Sequence, residues 1–131
     1  MTLQLDHTIV PAHDKVKSAQ FIAGILGLEY HGTWGHFAPV KINDTLTLDF
    51  DNSPNPRSSH YAFLASDEEF DAILGRVQEA GVVFGSGPRS RTDGEINHRW
   101  GGRGFYFECA DGHIWEVITH TYGDDPTTGI Q

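Results

Sequence analysis

GFYFECADGHIWEVIT, residues 104–119, decides how the chain is read. Two runs rich in aromatic and β-branched residues, GFYFECA at 104–110 and HIWEVIT at 113–119, flank Asp111-Gly112, a pair that suits the left-handed backbone of a tight hairpin. Successive strand residues face opposite sides, so Trp115 and Val117 form a large apolar set for a core, and Ile114 and Glu116 take the other face. A carboxylate on a strand whose reverse side is core is the first candidate for chemistry.

Moving toward the N-terminus, SSHYAFLA at 58–65 is a strand with Tyr61, Phe63 and Ala65 on the core side and His60, Ala62 and Leu64 opposite. Ser66 or Asp67 then caps a helix whose Phe70, Ile73, Leu74 and Val77 fall at i, i+3, i+4 and i+7, and Gly81 stops it. A short strand near 82–84 precedes a Gly- and Arg-containing segment without periodicity, from about Gly85 to His98.

The first half repeats this order. LQLDHTIV at 3–10 is a strand closed by Pro11, whose missing N–H ends a regular ladder. Val16, Ala19, Ile22, Ala23 and Leu26 make a helix with Asp14 as cap and Gly27 as stop. Three short strands follow, at 28–33, 35–42 and 45–51, the last two joined at Asn43-Asp44; Leu46, Leu48 and Phe50 alternate with Thr47, Asp49 and Asp51. DNSPNPRS at 51–58 has the composition of a linker. The chain is therefore one α+β domain of two repeated modules, about 1–56 and 57–122, followed by a flexible tail at about 123–131.

Four polar residues occupy matching places in the two halves. His7 and His60 lie in each first strand, 53 positions apart, and Asp49 and Glu116 in each last strand, 67 apart; the aperiodic segment after Gly85 supplies the 14-residue difference. Two histidines with one or two carboxylates form a donor set for a divalent transition ion such as Fe, Zn, Ni or Mn, with positions open for substrate.

Composition narrows the partners. In 131 residues, 9 Lys and Arg stand against 18 Asp and Glu, giving a net charge of −9 that repels nucleic acid and anionic membranes. The hydrophobic fraction of 38%, with 8 Phe and 3 Trp, is enough for a core without disulfides, and the single Cys109 reads as a packed, reduced thiol. No signal segment or long apolar run is present, so a soluble, cytoplasmic protein is expected.

The stretches LDHTIVPAHDKVKSAQFIAGILGLEY, HYAFLAS with its helix to Gly81, and FECADGHIWEVIT together resemble the vicinal oxygen chelate superfamily, which includes glyoxalase I, bleomycin resistance proteins and extradiol dioxygenases. The resemblance covers nearly the whole chain. It implies paired βαββ(β) modules curled around a cavity, a divalent metal held by His7, His60 and Glu116, and homodimers. A fourth metal position used in glyoxalase I falls near Asp49, where the family has glutamate; a one-residue shift of the hairpin would place Leu48 there, and parity selects Asp49.

DGEINHRWGGRG at 93–104 carries the remaining candidates: Arg99 and Arg103 for an anionic substrate group, Trp100 for the cavity wall, and His98 as acid or base beside a catalytic Glu116. His13, His31, His36, His113 and His120 are read as structural; His113 shares the core-side parity of Trp115. The expected function is that of a metal-dependent glyoxalase-like lyase or isomerase, or an extradiol-type dioxygenase, acting on a small oxygen-bearing molecule. The alternative is a metal-free dimeric resistance protein that sequesters a drug-like ligand, which a charge of −9 would suit if the ligand were cationic.

Overall fold

The computed structural model describes residues 2–124. The chain divides into two compact units, the first ending at Arg57 and the second beginning at Ser58.

In the first unit the order is β1 (His7–Ala12), α1 (Lys15–Leu26), β2 (Ala38–Lys41) and β3 (Thr47–Asn52). The sheet order is β1-β3-β2, with β1 parallel and β2 antiparallel to β3. Helix α1 starts where the Asp14 side chain accepts the Lys17 N–H and stops at Gly27, whose left-handed φ of 74° lets its N–H turn back to the helix carbonyls. Its buried Ala19, Ile22, Ala23 and Ile25 share the core with Val10, Ala12, Ala38, Val40, Leu48 and Phe50. Leu48 and Phe50 being in this core leaves Thr47 and Asp49 on the opposite, open face, as parity required. Asn43 closes the β2–β3 loop as its side-chain carbonyl accepts the Thr45 and Leu46 N–H groups, both at 2.9 Å.

Two sequence expectations change here. Strand β1 runs through Pro11 to Ala12 instead of ending before it: the Ala12 carbonyl accepts from Ser53, so Ala12 faces β3 and Pro11, one residue earlier, turns its nitrogen away from it. On an edge strand that costs no ladder bond. The strand expected at 28–33 is absent; those residues have no ladder partner, and pairing resumes only at the Trp34–Phe37 bridge. Leu28-Glu29-Tyr30-His31-Gly32-Thr33 has no strand neighbour among the described residues to offer donors and acceptors, and Gly32 leaves the extended backbone with a φ of 96°.

The second unit contains β4 (His60–Leu64), α2 (Asp67–Glu79), β5 (Phe84–Gly85), β6 (Gly104–Glu108) and β7 (Ile114–Ile118) in sheet order β4-β7-β6-β5. Again the first strand is parallel to the last, and the last pairs antiparallel with the strand before it. The repeat inferred from pattern is thus one of topology. Ser66 and Glu69 close a reciprocal capping box, at 3.1 and 2.9 Å, and Asp67, Glu68 and Glu69 set negative charge at the positive end of the helix. Phe70 meets Phe105 edge-on at 5.3 Å, while Trp115 stacks on Tyr61 at 4.7 Å and lies near Phe63 at 6.0 Å. The fully buried Phe70, Phe105 and Trp115 each contribute on the order of 2–3 kcal/mol through burial, and the half-buried Tyr61 and Phe63 less. His113 is fully buried and accepts the Ser59 N–H at Nδ1 over 3.1 Å, which ties the start of β4 to the loop before β7.

Of the tail expected at 123–131, Gly123 and Asp124 end a short helical turn that starts at Tyr122; the remainder lies outside the described residues. Among the described residues no helix is long and apolar enough to cross a membrane.

Candidate metal-binding site

The open face of the second sheet is built from the even-numbered positions of three strands. Ala62, Glu116 and Tyr106 form one row across β4, β7 and β6, with His60, Ile114 and Glu108 in the next row and Leu64, Ile118 and Gly104 in the third. His60 Nε2 and Glu116 Oε1 are 2.8 Å apart, with the carboxylate nearly buried at 6% exposure and the imidazole half exposed. A carboxylate on this face is tolerable only because donors converge on it. The Tyr106 phenol is the second donor: burial, together with its bond to the Glu116 carboxylate, raises the Tyr106 pKa, and Arg99 pulls it the other way. Arg99 Nη1 donates to Tyr106 Oη at 2.9 Å, with the guanidinium over the ring at 5.7 Å from its centre. The result is a chain of contacts, Arg99 to Tyr106 to Glu116 to His60.

Tyr106 is a site residue that the sequence reading missed. The signal was present: the same hairpin register that turns Glu116 outward sets Tyr106 directly opposite it.

In the first unit, His7 stands on the open face of β1, and its Nδ1 donates to Asp6 Oδ2 at 2.7 Å. That bond occupies Nδ1 and leaves Nε2 as the other ring nitrogen, the arrangement that metal-ligating histidines use with an outer carboxylate. Asp6 raises the His7 pKa, mainly through this bond, and Asp49 adds to it through its charge. Asp49 sits on the adjacent strand, in register with Ile9. Among the described residues no cluster of three or more His, Cys, Asp or Glu side chains is found. The four candidates form two pairs, His7 with Asp49 in one unit and His60 with Glu116 in the other.

The loop candidates separate. Residues 97–104 fold as a small β finger: Asn97 and Gly104 exchange backbone hydrogen bonds at 2.8 and 3.0 Å, and the Gly102 N–H closes a turn on the Arg99 carbonyl at 3.0 Å. Trp100 (φ 57°, ψ 29°) and Gly101 (φ 77°) occupy the two central positions, both left-handed. This is the type I′ turn of hairpins, which favours Asn-Gly; a tryptophan at its first central position costs about 1–2 kcal/mol. Arg99 comes off this finger onto the Glu116 face. Arg103, on the return leg, goes to the helix side, where it bonds Asp67 at 2.9 Å and Asp71 at 2.7 Å and lies 4.4 Å above the Phe70 ring. Its guanidinium is already engaged by α2. His98, just before the finger's turn, is exposed.

No family model matches the chain. A curated glutathione transferase FosA from Serratia marcescens is 30% identical over 124 residues, spanning 89% of this chain and 81% of that protein. The chain belongs to the vicinal oxygen chelate superfamily. Among solved structures of that fold, the oxidase ChaP-H2 is 50% identical with a TM-score of 0.90, covering 95% of this chain and 99% of its own. The oxidase ChaP-H1 is 44% identical with a TM-score of 0.88 over 93% of this chain and 99% of its own. A fosfomycin resistance protein FosX from Mesorhizobium loti shares the fold at 22% identity and a TM-score of 0.69, over 95% of this chain and 98% of its own. The superfamily's α+β fold is thus the fold of this chain, and small-molecule chemistry is the common ground of these relatives.

Proposed function

We propose that the protein is a metal-dependent enzyme of the oxidase kind that acts on a small molecule with two neighbouring oxygens through one divalent ion, with His60 and Glu116 as the donors from the second unit and His7 as the further donor that the superfamily resemblance implies. The observation that carries this is the buried Glu116 carboxylate 2.8 Å from His60 Nε2, on a sheet face whose reverse is core. Imidazole nitrogen with carboxylate oxygen is a donor set for Fe, Mn, Ni or Zn, and two histidines with one carboxylate are the donors of non-haem iron sites. His7 fits the same task, with Nδ1 bonded to Asp6 and Nε2 left as the second ring nitrogen. Such an ion, when bound, acts as a Lewis acid on both substrate oxygens and, as iron, opens oxygen chemistry.

Around that position Arg99 orients an anionic substrate group, Tyr106 holds a proton next to Glu116, and exposed His98 exchanges protons with solvent. Asp49, one methylene shorter than the glutamate of glyoxalase I, stays near His7 as a charge that favours a cation, leaving a three-ligand centre. That count and the 50% identity to an oxidase both favour oxidation over a lyase or isomerase reaction. A homodimer completes the proposal. The metal-free sequestering protein has no use for a buried carboxylate paired with an imidazole.

Metal analysis of untagged protein tests this. About one equivalent of iron or manganese per site in the wild type, lost in both His60→Ala and Glu116→Ala, is the expected result. No bound ion after incubation with each of the four metals would overturn it.

A further inference from the structure

We infer that the open face of the second unit holds a flat aromatic acid, with Trp100 as the residue that selects the ring. The inference rests on the proposed metal site only for the oxygens beside Glu116; the ring and its anionic group are argued from this unit alone.

Three observations lead there. The first is the position of Trp100. It is the one non-glycine residue with positive φ among the described residues, set in a turn that asparagine or glycine would form without strain. Nothing in the turn itself asks for an indole: Gly101 at its side has open space around its α-carbon. The side chain is half-buried and meets Tyr122 edge-on at 5.8 Å, and Tyr122 is itself 53% exposed. Two large rings thus stand at the tip of a finger whose backbone is strained to present one of them.

Secondly, the floor next to the finger is apolar. Leu64, 62% exposed, and Ile118 belong to the row that ends at Gly104, the base of the finger. One row along, about 7 Å by strand rise, come Ala62, Glu116 and Tyr106. An apolar strip leading to a carboxylate–imidazole pair matches a ligand with a hydrophobic ring at one end and oxygens at the other.

Charge is the third. In a chain of net charge −9, Arg91 pairs with Glu108 and Arg103 with Asp67 and Asp71, but among the described residues Arg99 has no carboxylate partner. Its guanidinium is held by the Tyr106 hydroxyl and ring and lies close to Gly87, where an added Cβ would approach Nη2 to 3.2 Å. The Asn97 amide fixes the backbone that carries it: Oδ1 accepts the Arg99 backbone N–H at 3.2 Å and Nδ2 donates to the Ser86 carbonyl at 3.0 Å. A cation held by a phenol, with donors left over and no carboxylate paired to it among the described residues, suits an anion from outside.

The test uses two probes with the same oxygen types, 3-hydroxy-2-naphthoate and lactate, titrated by calorimetry against full-length protein, both loaded with Mn²⁺ and chelator-treated. The naphthoate is expected to bind the wild type at least about tenfold more tightly than lactate. Trp100→Asn should lose about tenfold for the naphthoate and under about twofold for lactate, with an unchanged or higher Tm because asparagine suits the turn, and Trp100→Phe should retain most of the affinity. Equal affinity for the two probes, no naphthoate binding, or an equal loss of both in Trp100→Asn together with a lower Tm would overturn the inference, the last by making Trp100 a packing anchor. Trp100-dependent naphthoate binding in protein that takes up no metal would uphold this inference and remove the proposed metal centre. Metal uptake without naphthoate binding would do the reverse.

Discussion

Replacing Tyr106 with phenylalanine removes one oxygen and keeps the ring, so its cost reads the bonds directly. That oxygen takes a hydrogen bond from Arg99 at 2.9 Å and gives one to Glu116. Bonds to charged groups contribute about 1.5–3 kcal/mol each when buried, and an exposed partner contributes far less. Glu116 is nearly buried and keeps His60 as its partner among the described residues after the change, whereas the exposed Arg99 rehydrates. The expected loss is therefore about 2 kcal/mol in chelator-treated protein, nearly all of it from Glu116. Unfolding entropy for 131 residues converts this to a Tm lower by about 7 °C. Urea denaturation of Tyr106→Phe, Glu116→Gln and the double variant should give a coupling of about 1–2 kcal/mol between the two sites, because each single change already breaks the same bond. With a bound divalent ion compensating the carboxylate, the Tyr106→Phe loss should shrink to under about 1 kcal/mol. A Tyr106→Phe protein as stable as wild type, or a coupling near zero, would refute the network.

The other predictions separate scaffold from chemistry. Ser66→Ala should cost about 1 kcal/mol by urea denaturation at pH 7, through loss of the cap on α2. Its partner Glu69 is held below the ordinary carboxylate range, chiefly by its bonds to Ser66. That contribution is complete above the unfolded-state pKa and disappears as pH falls through the lower folded value, so the gap between wild type and Glu69→Ala should narrow from pH 6 toward pH 3; a gap that widens on acidification would contradict it. Arg103→Met should lower stability by about 1 kcal/mol and leave probe affinity within about twofold, while Arg99→Met should do the opposite, as calorimetry and thermal melts on both variants will show. His98→Gln should lower kcat about tenfold or more with KM little changed once turnover is measured, and an unchanged kcat would remove it from proton transfer.

The parts of the fold that were legible in the sequence are those governed by local rules. Alternation through Ile114, Trp115, Glu116 and Val117 gave β7 its two faces, Asp14 and Gly27 bounded α1, and the choice of Ser66 or Asp67 as cap narrowed the start of α2, where Ser66 is the cap. The same alternation decided between Leu48 and Asp49, since Leu48 is in the core. What escaped depends on neighbours. Pro11 is harmless only because β1 is an edge strand with that nitrogen turned outward, which requires the sheet order to be known. Residues 28–33 fail as a strand for want of a partner. The finger at 97–104 contains Gly101 and Gly102, so a turn was legible, but its register was not, and without register nothing tells Arg99 from Arg103. Four positions separate opposite outcomes: Arg99, before the turn, sends its guanidinium to Tyr106, and Arg103, after it, sends its own to α2.

The hydrogen-bonded state of the second unit also bears on how a metal would enter. Glu116 and His60 satisfy one another at 2.8 Å, so an ion taking both must first separate a charge-assisted contact, at a cost of about 1.5–3 kcal/mol. Tyr106, bonded to the same carboxylate, keeps it oriented while the imidazole swings away, and His60, half exposed, has room to move. The strands themselves need not shift, because each has large side chains on its reverse: fully buried Trp115 and Val117 behind Glu116, and half-buried Tyr61 and Phe63, stacked against Trp115, behind His60. Close packing resists displacement of the backbone, and the freedom left to the site is the rotation of one imidazole. The predicted consequence is kinetic. Tyr106→Phe, which loosens the carboxylate, should alter the rate of metal uptake followed by stopped flow more than it alters the final stoichiometry, and Phe63→Ala, which loosens the scaffold behind His60, should lower affinity. If instead Phe63→Ala left affinity intact while lowering Tm, the packed reverse face would be a source of stability alone, and the geometry of the site would have to come from the hydrogen bonds on its own side.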